Sequence, residues 1–231
     1  MAVRHGGMLA SSVALAALPL ALAAPGSAST PTTAPAPKYH PLISLHTPTT
    51  AHGMVQSTNW SGYDKGALDT GSTFQSISGH WTVPTVSQHT PGQAESSATW
   101  IGIGGGCVNM TQGCSVTDPT LIQAGTEQDV NAQGKPSYSA WWEILPAPSI
   151  STSMPVHPGD HMSATIKGPG VWTITVKDLT DGQSFTQTVP YASTMDSAEW
   201  IQEAPTEIGS GGVAQATLPN STTPSFDLTS V

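Results

Sequence analysis

A chain of 231 residues is one domain, or at most two small ones, and can bury a sizeable core. Only 9% of its residues are charged, while Gly and Pro together make up about 19%, a composition that excludes long charged helices. From residue 56 onward four lysines face all fifteen carboxylates, a net of −11, and that sign excludes nucleic acid and anionic membrane surfaces as partners.

Residues 1–28 combine a short basic start (Arg4, His5), an apolar run from Met8 to Ala24, and small residues at its end (Ala21, Ala23, Ala24, Ser27, Ala28). This pattern predicts a secretory signal peptide and hence a secreted protein. The apolar run is too short and Ala-rich for a membrane anchor. Residues 29–55 are rich in Pro, Thr and Ala, carry Lys38, His40, His46 and His52, and contain no acid. They read as a propeptide or linker. Their charge is opposite to that of the rest, so the segment is expected to bind the mature part as its own inhibitor, with acid releasing it and allowing a self-cut between about His52 and Thr58.

The texture changes at Gln56, and residues 56–231 hold all seven tryptophans (60, 81, 100, 141, 142, 172, 200). Strands are predicted near 58–63, 74–83, 97–103, 120–127, 137–145, 161–166, 171–178, 183–189, 198–204 and 212–216, with a weaker one near Phe226. Gly and Pro turns separate them, among them Gly104-Gly105-Gly106, Gly168-Pro169-Gly170 and Asp181-Gly182. The stretch 171–189 reads as a hairpin about Thr180-Asp181-Gly182. No helical period is sustained, so the fold class is all-β, a sandwich or flattened barrel. Export predicts that Cys107 and Cys114 form a disulfide across a small loop.

Residue supply narrows the chemistry. No Gly-x-Ser-x-Gly elbow or phosphate loop is present, and the two cysteines are committed to each other. His157 and His161 are four apart but form no His-Glu-x-x-His pattern, and no other close metal-ligand spacing is present, so no metal or other cofactor is expected. Carboxylates remain: Glu127, Glu143, Glu199 and Glu203 lie in or at the ends of apolar or aromatic strands. Alternation puts Glu143 on the face of Trp141, and Glu199, Ile201 and Glu203 on one face opposite Trp200 and Gln202. A carboxyl on a half-buried aromatic face has a raised pKa and suits proton transfer, whereas on an outward face it is simply solvated.

Five blocks then carry a resemblance: Asn59-Trp60-Ser61-Gly62-Tyr63, Thr99-Trp100-Ile101-Gly102-Ile103-Gly104-Gly105, Leu121-Ile122-Gln123-Ala124-Gly125-Thr126, Tyr138-Ser139-Ala140-Trp141-Trp142-Glu143-Ile144-Leu145-Pro146 and Ala198-Glu199-Trp200-Ile201-Gln202-Glu203. In this order they resemble the signature blocks of the glutamic peptidases called eqolisins, over about residues 59–212. The resemblance implies a lectin-like β-sandwich of two curved antiparallel sheets and a secreted endopeptidase, acting in acid on polypeptide substrates as a monomer. It implies a catalytic pair of Gln123 and Glu203, with Trp60, Trp100, Trp141 and Glu143 lining the substrate cleft. Two departures from the family pattern stand out. Gly104 occupies a position where the family carries an acid, and the family continues through a further pair of strands, which implies either a C-terminal truncation of the domain here or a rearrangement of its last strands. Paired glutamates on an aromatic sandwich also suit a glycoside hydrolase, and a non-catalytic carbohydrate-binding sandwich is the third reading.

Overall fold

The computed structural model describes residues 36–43, 56–109, 114, 116–209 and 212–230, all within one compact unit spanning Pro35–Val231. The predicted signal peptide, residues 1–28, lies outside the described residues, and the predicted propeptide is described only over 36–43. In chain order the strands are β1 (Lys38–Tyr39), β2 (Trp60–Gly66), β3 (Ser76–Thr82), β4 (Val86–Ser87), β5 (Glu95–Gly104), β6 (Cys107–Asn109), β7 (Val116–Thr117), β8 (Leu121–Val130) and β9 (Pro136–Ile144). They continue with β10 (Ile150–Ser151), β11 (His161–Lys167), β12 (Gly170–Asp178), β13 (Ser184–Tyr191), β14 (Ser197–Glu203), β15 (Thr206–Gly209), β16 (Gly212–Gln215), β17 (Asn220–Ser221) and β18 (Phe226–Ser230). One four-residue helix, α1 (Ala67–Thr70), follows β2.

Two antiparallel sheets form a β-sandwich: six strands in the order β10-β9-β8-β5-β14-β2 and five in the order β13-β12-β11-β3-β18. The five-stranded sheet alternates as a half-buried sheet should, with Trp172, Ile174 and Val176 inward on β12 and Met162, Ala164 and Ile166 inward on β11. These meet Ile101, Ile103, Ile122, Ala124, Ala198 and Trp200 of the six-stranded sheet in one apolar layer. Indole nitrogens tie the layers together: Trp81 Nε1 donates to Thr126 Oγ1 at 3.0 Å and Trp200 Nε1 to the Ser78 carbonyl at 2.9 Å. The β12–β13 hairpin runs in register from Gly170↔Tyr191 to Lys177↔Ser184, about the turn expected from Asp181-Gly182.

The six-stranded sheet does not alternate. Every residue of β5 is buried, because a second covered face lies behind the core, with Ala98, Trp100, Leu121, Trp141 and Ile201 packed there. Part of the cover is the segment 36–43, read from sequence as propeptide or linker, whose Lys38 and Tyr39 pair with Glu207 and Thr206 of β15. Cys107 and Cys114 are joined in a disulfide with their Cα atoms 5.5 Å apart.

Candidate active site

Cross-strand register assembles the second face. One row brings Glu203 beside Ala98 and then Glu127; the next holds Ile201, Trp100, Gly125 and Trp141; a third holds Glu199, Gly102, Gln123 and Glu143. Two glycines make room for the central ring. A Cβ at Gly125 would come within 2.5 Å of Trp100 Cβ, and one at Gly102 within 2.9 Å of the Trp100 ring, so the indole lies across both. In that position Trp100 Nε1 donates to Glu203 Oε2 at 2.8 Å, while Asn59 Nδ2 donates to Glu203 Oε1 at 3.0 Å. Trp60 meets Trp100 edge to face at 4.8 Å between ring centroids.

Gln123, fully buried, donates through Nε2 to Glu143 Oε2 and to the carbonyl of His40 at 3.4 Å. Its Oε1 has no hydrogen-bond partner among the described residues. His40 enters this face from the segment 36–43: its ring stacks on Trp141 at 3.9 Å, and its Nδ1 lies 3.2 Å from Glu143 Oε2. Two residues earlier, Lys38 Nζ reaches Glu127 Oε1 at 2.7 Å and Asp129 Oδ1 at 2.5 Å, and donates to Ser96 Oγ at 2.9 Å. The last polar links come one and three residues after His40: Pro41 offers its carbonyl to Asn59 Nδ2 at 2.8 Å, and Ile43 N donates to Asn59 Oδ1 at 2.8 Å.

Burial dominates the electrostatics. It pushes the Glu203 carboxyl up to about 8, against the lowering effect of the His40 imidazole and the Trp100 indole. For His40, burial favours the neutral ring, but the Glu203 and Glu143 carboxylates outweigh it and lift the imidazole to about 9. Glu127 is held above its ordinary value by burial despite Lys38. Glu199 is pushed well above the carboxylate range by burial, with the Asp64 carboxylate adding to it.

All six residues expected at the cleft therefore share one face: Gln123, Glu203, Trp60, Trp100, Trp141 and Glu143. None of the four glutamates singled out from sequence is solvated, since Glu127, Glu143, Glu199 and Glu203 are each at most 4% exposed. An acid from another part of the chain stands beside Gly104. Asp118 Oδ2 lies 3.0 Å from where a Cβ of Gly104 would be, and Asp118 accepts from Gly105 N and Thr120 N. His157 and His161 have separate partners, Asp160 Oδ2 at 3.4 Å and Thr82 Oγ1 at 3.3 Å, and do not converge. Asn59 and Asp129 were not singled out as site residues in the sequence. Asn59 stands next to a block tryptophan, but only its contacts reveal its reach.

The sequence profile of the peptidase A4 family matches residues 58–231. Aspergillopepsin-2 of Aspergillus niger is 28% identical over 171 residues, which is 64% of this chain and 56% of the relative, so the matched stretch spans little more than half of that protein. Among solved structures, scytalido-glutamic peptidase bound to a peptide-based transition state analogue superposes with a TM-score of 0.55 at 22% identity, over 71% of this chain and 74% of that one. SCP-B, an eqolisin solved with the tripeptide Ala-Ile-His, gives a TM-score of 0.52 at 20% identity, over 71% of this chain and 74% of its own. These two likenesses carry the sandwich fold, and the profile match over most of the length carries the family. The chain belongs to the peptidase A4 family, the glutamic peptidases.

Proposed function

We propose that this chain is the secreted proenzyme of an acid-acting, monomeric glutamic endopeptidase, with a signal peptide over 1–28, an inhibitory propeptide over 29–55 and a catalytic domain over 56–231. The observation that carries the reading is a stretch of polypeptide laid across the Gln123 and Glu203 face, with the carbonyl of His40 on the Gln123 amide. A peptide carbonyl on that neutral donor is where the oxyanion of a tetrahedral intermediate would form. Glu203 then takes a proton from an attacking water and returns it to the leaving amine. Gln123 Oε1, free to accept, can orient the water. An amide donor keeps its function at low pH, where a second carboxylate would have to be managed.

The segment 36–43 supports latency in two ways. It fills the cleft physically, and its cover adds to the burial that holds the Glu203 carboxyl above its ordinary value, which disfavours the carboxylate that a general base needs. The Cys107–Cys114 disulfide and the apolar run at 8–24 support export. The test is hydrolysis of a denatured protein at about pH 3–4 by the acid-treated chain, with a polysaccharide arm beside it. Proteolysis that Glu203→Gln and Gln123→Ala each reduce by roughly 10²-fold or more, at unchanged circular dichroism, is the expected result. Polysaccharide hydrolysis without proteolysis would replace the reading with a glycosidase.

A further inference from the structure

We infer that Asn59 is a main-chain clamp for the substrate, fixing the residues that follow the scissile bond through their backbone alone. The inference rests on the peptidase reading and takes the segment 36–43 as the trace of a bound polypeptide. The Asn59 side chain is buried and uses its full hydrogen-bonding capacity: Nδ2 donates to the Pro41 carbonyl and to Glu203 Oε1, and Oδ1 accepts from Ile43 N and from Ser57 Oγ at 2.9 Å. The partner set fixes the amide orientation, since both Nδ2 partners are acceptors and Ile43 N is a donor. One primary amide thus meets a carbonyl and, two residues on, an N–H of the same extended chain. This is the pairing that a peptide unit of a neighbouring strand would offer.

Counting from the residue whose carbonyl rests on Gln123, Asn59 reads the carbonyl of the next residue and the N–H of the third residue after it. Side chains play no part in either contact, so the clamp serves any sequence, as a broad endopeptidase needs. Because the same Nδ2 also touches Glu203, the chain it holds and the carboxyl that works on it are registered by a single group. Asn59 is itself anchored, with Ala204 N donating to its backbone carbonyl at 2.9 Å.

The test is a cycle between enzyme and substrate, run with the acid-activated full chain and internally quenched peptides cut at one bond. The peptides differ only in whether the amide of the third residue after that bond is N–H or N-methyl. Wild type is expected to cut the N-methyl peptide about 10-fold less efficiently in kcat/KM, the value of one hydrogen bond. Asn59→Ala, slower on both, should cut the two alike, whereas Asn59→Asp, which keeps the acceptor oxygen, should retain the penalty. Equal cutting of both peptides by wild type, or a penalty that persists in Asn59→Ala, overturns the clamp. If activated wild type cuts neither peptide, the peptidase reading itself falls, and the clamp with it.

Discussion

The indole nitrogen of Trp100 donates to Glu203 Oε2 at 2.8 Å, and the ring is held in that attitude by lying over Gly102 and Gly125. Trp100→Phe keeps most of the ring and removes the donor. A hydrogen bond to a charged group is worth about 1.5–3 kcal/mol, so kcat/KM should fall by roughly 10-fold or more. The donor favours the ionised carboxylate, so its loss raises the Glu203 pKa, and the acid limb of the pH–rate profile should move to higher pH. Profiles of the two enzymes decide it: a slower Trp100→Phe enzyme with an unmoved limb would mean the indole serves only as a wall of the cleft.

If the segment 36–43 is the inhibitory propeptide proposed above, its contacts predict an inhibitor with two anchors that fail at opposite ends of the pH scale. His40 is raised from an ordinary value near 6.5 to about 9 in the docked state by Glu203 and Glu143, so its contribution to docking is full below about 6.5 and is lost as pH rises through about 9. The Lys38 contribution runs the other way. Its ammonium lowers the Glu127 carboxyl against the burial that raises it, and that attraction exists only while Glu127 is ionised, so it is lost as pH falls. A synthetic peptide of residues 36–43, titrated against the acid-activated enzyme, should inhibit best between these limits. Removing one partner of a buried ion pair is strongly destabilising, so a peptide with Lys38→Gln should bind on the order of 100-fold more weakly near pH 6 and lose most of the acid-side dependence. Unchanged inhibition by that peptide would remove Lys38 as an anchor.

Much of this fold was readable because β11, β12 and β13 bury one face and expose the other, which is the period-two signal that sequence carries well. The short strands escaped it: two residues, as in Lys38–Tyr39 or Ile150–Ser151, cannot show a period. The burial of Glu127, Glu143, Glu199 and Glu203 was not readable either. Alternation assigns a residue to a face, but part of what covers that face comes from residues 36–43, a hundred or more positions away from Glu143, which attach through polar and backbone contacts and the His40 stack on Trp141 rather than an apolar stripe. Gln123 and Glu203 were reachable only through their motifs. The approach of Asp118 to Gly104 had no sequence signal, because a turn brings together residues that share no pattern.

Glu199 predicts how the fold itself responds to pH. It is fully buried opposite Asp64 and beside Ser197, with Asp64 and Asp118 as the charged groups acting on it. Its folded-state pKa is raised above the unfolded value of 4.5, so the associated stability is fully present below about 4.5 and is lost as pH rises toward the folded value. Each unit of that shift is worth about 1.4 kcal/mol. Glu199→Gln keeps the shape and removes the titration. Its melting temperature should match wild type at about pH 4 and exceed it at about pH 7; the same deficit of wild type at both pH values would point to packing rather than ionisation.

The last prediction concerns why a peptidase would not cut the segment lying in its own cleft. The carbonyl resting on Gln123 is that of His40, so the bond presented for attack is His40–Pro41. Proline nitrogen carries no hydrogen and its ring fixes φ near −65°, so in the proposed mechanism the leaving group is a crowded tertiary amide nitrogen, which Glu203 would have to protonate without the freedom an ordinary amide has. On the proposed reading the segment occupies the substrate path with a bond that resists the chemistry, and it is expected to leave by displacement. Pro41→Ala retains the backbone carbonyl that Asn59 Nδ2 holds and supplies an ordinary peptide bond at the same place. On shifting the purified proform to about pH 3–4, mass spectrometry should find fragments ending at His40 from Pro41→Ala, none from wild type, and none from Pro41→Ala combined with Glu203→Gln. Fragments ending at His40 in wild type, or an uncut Pro41→Ala chain that is otherwise active, would show that the segment is not threaded as a substrate is.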